Sequence, residues 1–195
     1  MTQFKTRSFR AALLASLGAL TLGGALAGGG GLTLPAGTQA SALLRDPQGL
    51  VRGTVSFREV TGGLEVSVSA RGLTPGMHGM HVHTNPVCAP GPDATTGKVV
   101  AFGAAGGHLD PYKTGNHATP TTPNTEGHAG DLPMVTASAG GTVQATFVTR
   151  KLTLSGLTGV LNRSVVLHAM HDDYASDPAG KSGSREQCGV ISAGR

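Results

Sequence analysis

Apolar and polar residues alternate with a period of two along much of the chain from residue 41 onward. The clearest example is 51–58, where Val51, Val55 and Phe57 are separated by polar or small residues. A second alternating segment, 64–70, follows directly after a Thr-Gly-Gly sequence. Alternation of this kind is typical of half-buried strands, and a glycine-rich turn between two of them predicts a β-hairpin.

Further strands are predicted from the same pattern. They lie at 76–83, at 133–138, at 142–149, at 161–168 and at 189–192. The segments on either side of Ala139-Gly140-Gly141 predict a second hairpin. No segment has the period of an amphipathic helix. Many short strands with Gly-rich corners predict an all-β fold, a Greek-key antiparallel β-barrel or sandwich of the immunoglobulin-like kind.

Two long polar segments interrupt this pattern and are predicted as functional loops. Residues 84–132 show little alternation, and only 98–102 could form a strand there. Residues 172–187, between the last two predicted strands, are equally polar. Loops of this length inside a compact domain are usually functional or disordered. Metal ligands within them would supply order that apolar burial cannot.

Residues 1–27 have the composition of an export signal. Three basic residues precede an apolar stretch that starts at residue 11, and Ala25-Leu26-Ala27 matches a cleavage-site pattern. We therefore predict a signal peptide and a protein exported to the periplasm or cell envelope of a bacterium. The alternative is an uncleaved membrane anchor, because the apolar stretch approaches the ~17–25 residues that span a bilayer. Contact with a membrane is expected only in that case.

The remaining chain divides into a linker and one domain. Residues 28–40 are Gly-rich and uncharged and predict a flexible linker, and 41–195 form the predicted domain. Three of the 15 Lys and Arg residues precede residue 28, which leaves 12 basic against 11 acidic residues. A net charge near +1 offers no electrostatic basis for binding nucleic acid.

The chain has two cysteines, Cys88 and Cys188. In an exported chain an even count predicts a disulfide, which here would close a loop of about 100 residues. The alternative is that both are soft metal ligands.

Six of the eight histidines are candidate metal ligands, together with one aspartate. His81 and His83 are two apart on a predicted strand, so both side chains project from the same face. The other candidates are His108, His117, His128, Asp131 and His168. Imidazole is a preferred donor for copper and zinc, and a carboxylate among three imidazoles suits zinc. The set fills two sites if one imidazole is shared. Each histidine alone could instead be a solvated loop residue or a hydrogen-bonded core residue.

These motifs resemble a known family. The segments GMHGMHVH, AAGGHLDP, GHAGDLP and VVLHAMHDD, followed by GSREQCGVI, are similar to those of copper/zinc superoxide dismutases of the bacterial, exported type. The resemblance runs from about residue 51 to residue 192 and so covers nearly all of the predicted domain.

The resemblance implies a ligand for each metal, with copper and zinc as cofactors. It assigns His81, His83, His108 and His168 to copper. It assigns His108, His117, His128 and Asp131 to zinc, with His108 as a bridging imidazolate. Four nitrogens suit Cu(II), and three nitrogens with a carboxylate suit a closed zinc site.

The resemblance also implies roles for residues that bind no metal. Asp172 would hydrogen-bond one copper ligand and one zinc ligand, although it could be an ordinary solvated turn residue. Arg185 would guide the substrate above copper, although it could be an ordinary surface arginine. His78 corresponds to a structural histidine, and His171 has no matching role.

The implied function is disproportionation of superoxide, with His108 and Arg185 as the catalytic residues. Two alternatives remain open: an exported copper-binding or copper-buffering module on the same fold, and a purely structural zinc domain. The expected small-molecule partner is the superoxide anion. The sequence does not determine whether the domain forms a homodimer.

Overall fold

The structure, a computed structural model, describes Met1 and residues 39–93 and 96–194. Contacts divide the chain into two units, Met1–Thr33 and Leu34–Arg195, and the description below concerns the second. The predicted signal peptide, apart from Met1, and residues 28–38 of the predicted linker lie outside the described residues. In the part that is described, no helix has the length and apolar character to cross a membrane.

The regular secondary structure of the described chain is almost entirely β-strand. Its strands are β1 (Gln39–Arg45), β2 (Val51–Val60), β3 (Gly63–Arg71), β4 (Gly76–His78), β5 (Met80–His83), β6 (Gly91–Pro92), β7 (Val99–Val100), β8 (Val135–Ala137), β9 (Thr142–Thr149), β10 (Ser164–His168) and β11 (Arg185–Ala193). One short 3-10 helix spans Gly103–Ala105.

Seven of the strands form one antiparallel sheet in the order β5-β10-β11-β1-β2-β3-β9. The short strands β4 and β8 pair with each other, and they directly precede the two edge strands β5 and β9. This small pair therefore links the two edges of the sheet and curls it toward a barrel. The predicted all-β antiparallel fold is confirmed.

Alternating burial along the strands builds the core. In β1 the side chains of Ala40, Ala42 and Leu44 are buried while their neighbours are exposed, and in β3 buried side chains alternate with half-buried ones. Phe57 and Ile191 are completely buried in the same cluster. Full burial of a side chain of this size contributes about 1.5–3 kcal/mol to the free energy of unfolding.

The structure corrects the predicted ends of the sheet strands. β1 was not predicted, and it begins at Gln39, inside the range assigned to the linker. Its pattern is weak in the sequence because two inward residues are alanines and the outward Leu43 is 46% exposed. β11 begins at Arg185 rather than 189, and β10 begins at Ser164 rather than 161.

The predicted second hairpin is wrong in its pairing. The turn at 139–141 does join β8 to β9, but β8 pairs with β4 and β9 pairs with β3. The β3–β9 ladder aligns eight residue pairs and the β4–β8 ladder three. Extending these two ladders satisfies more backbone groups than a local hairpin would.

The long segment between β5 and β8 contains more structure than expected. The predicted strand at 98–102 is present only as β7, which pairs with β6. The predicted disulfide is confirmed: Cys88 is bonded to Cys188. Around it Phe102, Ala105 and Val166 form a small apolar cluster separate from the main core. The disulfide thereby ties this loop to β11.

Candidate metal centre

Strand pairing brings most of the predicted ligands together. In β5, Val82 enters the core while His81 and His83 lie on the other face, and β10 runs alongside and ends at His168. Two loop residues align with the same strand through single bridges, His108 with His83 and Asp131 with His81.

The loop backbone is held closely against β5. The amide of Val82 donates to the Gly130 carbonyl at 3.0 Å, and the amide of Leu109 donates to the Val82 carbonyl at 2.8 Å. A β-carbon on Gly130 would overlap the Val82 carbonyl, so only glycine allows this approach. The two strands and the two loop segments that carry these candidate ligands are therefore held in fixed positions next to one another.

The donor atoms form two adjoining groups. In each group the atoms lie within 4.8 Å of one another, and every residue is buried. The first group is His81, His83, His108 and His168, and the second is His81, His108, His117 and Asp131. The predicted zinc ligand His128 is absent from the second of these described groups, where His81 stands instead. It lies directly beside that group, with Nδ1 3.4 Å from Asp131 Oδ1.

Buried ring nitrogens without a hydrogen bond mark the first group. One nitrogen on each of its four rings has no hydrogen-bond partner among the described residues: His81 Nδ1, His83 Nε2, His108 Nε2 and His168 Nε2. A buried polar atom without a partner is costly. Four buried histidines, each with an unpartnered nitrogen and with donor atoms within 4.8 Å of one another, fit the donor set of a copper ion.

The opposite nitrogens of these rings are held by the protein. His81 Nε2 donates to Asp172 Oδ2 at 2.6 Å, and His83 Nδ1 donates to the Gly106 carbonyl at 2.9 Å. His168 Nδ1 approaches the Gly183 carbonyl at 3.4 Å. A hydrogen bond on one nitrogen fixes the tautomer and leaves the lone pair of the other free for a metal.

Three imidazoles converge on one carboxylate oxygen in the second group. The Nδ1 atoms of His108, His117 and His128 lie 2.8, 3.1 and 3.4 Å from Asp131 Oδ1. Those of His117 and His128 make no hydrogen bond within the described chain. Three nitrogens and one carboxylate oxygen around a common centre are the donors of a closed tetrahedral zinc site.

Burial sets the protonation of these side chains. It lowers the pKa of His81 to about 4, and burial with the nearby His108 lowers that of His168 to about 3. Burial opposes protonation of His117 as well, but the neighbouring carboxylates of Asp131 and Asp172 outweigh it and raise the pKa of His117 to about 9. Burial alone would raise the pKa of Asp131, yet its histidine contacts hold that pKa far below its usual range.

Asp172 joins the two groups. Its buried carboxylate accepts from His81 Nε2 at 2.6 Å and from His117 Nε2 at 2.8 Å. Burial would raise the pKa of Asp172, but these two hydrogen bonds lower it well below its usual range. Asp172 also accepts from the amide of Tyr174 at 2.7 Å. One charged group therefore orients a ring from each half of the centre.

Arg185 lies next to the first group. It begins β11 directly opposite His168 in the β10–β11 ladder. Its Nη1 donates to the Phe102 carbonyl at 2.8 Å and its Nη2 to the Gly106 carbonyl at 2.9 Å. The Gly106 carbonyl also accepts from His83, so it joins the guanidinium to the donor set. Burial lowers the pKa of Arg185 from its ordinary value, while the charge of Asp93 opposes that shift.

The other two histidines lie apart from the donor set. His78 is buried, with Nδ1 2.7 Å from the His168 carbonyl and Nε2 2.8 Å from the Thr74 carbonyl. His171 is exposed. Neither belongs to the two groups of donor residues found in the described part of the chain.

Several supporting residues were not recognised from sequence. Gly180 lies against Asp172, the carboxylate of Asp177 accepts from the amide of His117 at 2.6 Å, and Met134 contacts the Asp172 amide. The carbonyls that hold Arg185 were missed because backbone groups leave no trace in residue type. Gly180 and Asp177 lie in a polar loop, where glycine and aspartate are common, so the sequence does not single them out.

The fold and the centre together define a β-barrel protein with two adjoining, histidine-rich metal half-sites. The family model for copper/zinc superoxide dismutase (SODC) matches residues 51–191. The chain belongs to the copper/zinc superoxide dismutase family.

Individual proteins that are similar to the chain are members of the same family. The chain is 50% identical over 150 residues to a Cu-Zn superoxide dismutase of Deinococcus radiodurans, covering 77% of this chain and 82% of the relative. It is 45% identical over 141 residues to that of Brucella abortus, covering 71% and 78%. Among solved structures, the Brucella abortus Cu/Zn superoxide dismutase superposes with a TM-score of 0.68 at 40% identity, covering 78% of this chain and 98% of the other.

Proposed function

We propose that this protein disproportionates superoxide to dioxygen and hydrogen peroxide, with copper and zinc as its cofactors. The observation that carries the proposal is the set of buried imidazoles, each with one nitrogen held by the protein and the other turned toward a common centre. The reaction consumes two superoxide anions and two protons for each dioxygen and each hydrogen peroxide formed. Membership of the family supports the same reaction.

We assign each histidine to copper or to zinc according to which of its ring nitrogens lacks a hydrogen-bond partner. The copper set is His81, His83, His108 and His168, and the zinc set is His108, His117, His128 and Asp131. Only His108 belongs to both, because its Nε2 faces the first group and its Nδ1 faces Asp131. The assignment of His128 is supported by the convergence of its Nδ1 on Asp131 Oδ1.

Copper, when bound, supplies the one-electron oxidation and reduction that the two superoxide anions need, while zinc has no accessible redox change. The residues of the chain supply orientation and a proton. His108 Nε2 is the atom that takes up a proton and passes it to the second superoxide. In the metal-free protein, burial lowers the pKa of His108 to about 3, so the ring is neutral near pH 7 and its Nε2 lone pair is free to accept a proton or a metal.

Arg185 attracts the anionic substrate and hydrogen-bonds it beside the copper set. Its two bonds to loop carbonyls hold the guanidinium in one orientation before substrate arrives. Asp172 orients His81 and His117 at the same time, and so couples the geometry of the two half-sites.

We further propose that residues 1–27 direct export to the bacterial cell envelope and that the domain functions there. The disulfide between Cys88 and Cys188 supports an oxidising compartment. The relatives in Deinococcus and Brucella are bacterial proteins. Fractionation of cells that express the full chain, with N-terminal sequencing of the mature protein, distinguishes cleavage from membrane anchoring.

The test of function is a superoxide dismutase assay on protein whose copper and zinc contents are measured. We expect turnover that requires both metals, and we expect His168→Ala to abolish it with the fold retained. The matched control is His171→Ala, since His171 is exposed and three residues further along the chain. Full loading with both metals and no turnover would favour the copper-buffering alternative.

A further inference from the structure

Met134 makes two hydrogen bonds with the loop segment that contains Asp172 and Tyr174. The backbone amide of Asp172 donates to Met134 Sδ at 3.1 Å. In return, the backbone amide of Met134 donates to the hydroxyl of Tyr174 at 2.8 Å. Met134 follows Asp131 by three residues, so these two bonds clasp the segment of one proposed zinc ligand to the loop that carries Asp172.

The clasp bears directly on the position of the Asp172 carboxylate. That carboxylate holds His81 and His117 through bonds of 2.6 and 2.8 Å, and its Oδ1 also accepts from the Tyr174 amide. With its carboxylate and its amide both engaged, Asp172 has little freedom to adjust. A shift of its backbone therefore moves the contact to a ring in each half-site.

A thioether is a weak hydrogen-bond acceptor and can be oxidised. We propose that Met134 positions Asp172 through its sulfur and is a site of sulfoxide formation by hydrogen peroxide, which loosens the metal centre. In this step the sulfur loses two electrons and gains one oxygen atom, the O–O bond of the peroxide breaks, and the other oxygen leaves as water. Oxygen on the lone pair that faces the Asp172 amide does not fit within the 3.1 Å contact, and oxygen on the other lone pair makes the group larger and more polar, so we expect the clasp to open.

The other methionines provide an internal comparison. Met77 and Met170 are 50% and 51% exposed, and Met80 is completely buried. Met134 is half-buried, so we expect it to react with peroxide more slowly than Met77, Met170 and the exposed Met1. Within the described residues, the side chains of Met77 and Met170 make no hydrogen bond to the proposed ligands or to Asp172, so their oxidation should leave the centre unchanged.

The inference rests on the proposed function for the roles of His81 and His117 and for turnover as a source of peroxide. The test adds peroxide directly, so it does not require superoxide turnover. The full chain is loaded with zinc alone, because zinc has no redox chemistry that would oxidise the ligand histidines. Two variants are compared, Met77→Leu/Met170→Leu and the same protein with Met134→Leu added.

After peroxide treatment, mass spectrometry of proteolytic fragments measures oxygen at Met134, and a chromogenic chelator measures the rate of zinc release. In the double variant we expect Met134 sulfoxide and zinc release roughly 10-fold faster. In the triple variant we expect peroxide to leave zinc release unchanged. Equal responses in the two proteins would overturn the proposal, as would complete Met134 oxidation with unchanged zinc release.

A second measurement covers the case in which Met134→Leu does not fold. Amide hydrogen exchange of the fragment that contains Asp172 is followed in the zinc-loaded double variant before and after peroxide. We expect exchange at the Asp172 amide to become faster as Met134 sulfoxide accumulates. Exchange that is unchanged at full oxidation contradicts the opening of the clasp.

Discussion

Gly180 packs directly against the carboxylate of Asp172, in a space that no side chain could share. A β-carbon at Gly180 would overlap Asp172 Oδ1 and would lie 2.6 Å from His117 Nε2. Gly180 also has a φ of 61°, in the left-handed region. The hydrogen bond between Asp172 and His117 therefore depends on the absence of a side chain on a neighbouring loop residue.

Gly180→Ala should weaken both stability and zinc retention. The left-handed backbone alone costs an alanine roughly 1–2 kcal/mol, and displacing a buried charged hydrogen bond adds about 1–3 kcal/mol. Gly49→Ala is the matched control, because Gly49 has a φ of 83° and open space around its β-position. Urea unfolding should show the backbone cost in both variants. The loss of the buried hydrogen bond, and with it faster zinc release, should appear only in Gly180→Ala. Equal zinc release by the two variants would contradict the steric argument.

Three histidine substitutions should give three different metal contents. His83→Ala removes a nitrogen from the proposed copper set alone, and His128→Ala removes one from the zinc set alone. His108→Ala removes the ring that faces both groups, so we expect both metals to fall. Elemental analysis after loading with equimolar copper and zinc gives the pattern. Full zinc occupancy in His108→Ala would remove the bridging role from the proposal.

The metal-free protein should be most stable near pH 6.5, and its stability should fall toward both lower and higher pH. His81 and His168 have folded pKa values of about 4 and 3, below the unfolded value of about 6.5. The unfolded chain then binds more protons, so stability falls as pH drops below about 6.5. His117, with a pKa raised to about 9, stabilises the fold below 6.5 and loses that contribution as pH rises through 9.

Thermal unfolding of metal-free protein from pH 4 to pH 10 measures the fall in stability at low pH (the acidic limb) and at high pH (the alkaline limb). Zinc loading should remove the alkaline limb, because a bound His117 no longer carries the proton that stabilised it. An alkaline decline that persists unchanged with zinc bound would show that a different group is responsible.

Removing the disulfide should lower stability substantially. Cys88 and Cys188 are 100 residues apart, and the chain-entropy model gives about 4–5 kcal/mol for a loop of that length. We compare Cys88→Ala/Cys188→Ala with wild type under oxidising and reducing conditions. This comparison separates the effect of the disulfide from that of the two substitutions. Urea unfolding is the measurement, and a loss below about 1 kcal/mol would indicate that the metals or the core already hold the loop.

Arg185→Ala should lower kcat/KM for superoxide by roughly 10-fold and flatten its dependence on salt, because a guiding charge is lost. Arg185→Lys keeps a charge but cannot span both the Phe102 and Gly106 carbonyls, so we expect partial recovery. Arg58→Ala is the control, since Arg58 is exposed and paired with Glu65. Identical salt dependence in Arg185→Ala and Arg58→Ala would exclude a guiding role.

The strands with regular alternation were predictable because burial on one face leaves a period of two in residue type. β2 and β3 were found in this way. β1 escaped because small alanines and an exposed leucine blur its pattern, and the β8–β9 hairpin was mispaired because a turn does not specify which ladder a strand joins. The pairing of strands far apart in sequence depends on how many backbone N–H and C=O groups become hydrogen-bonded in the whole sheet. Local residue types do not encode that number.

The sequence by itself determined the all-β class, the disulfide cysteines and the inventory of donor residues, since each of these depends on residue type and spacing. Only the tertiary structure decided which ring nitrogen of each histidine is free, because that choice depends on the partner of the opposite nitrogen. Those partners include the carbonyls of Gly106 and Gly183 and the carboxylate of Asp172. They lie far from the histidines in sequence, and folding alone brings them within hydrogen-bond distance.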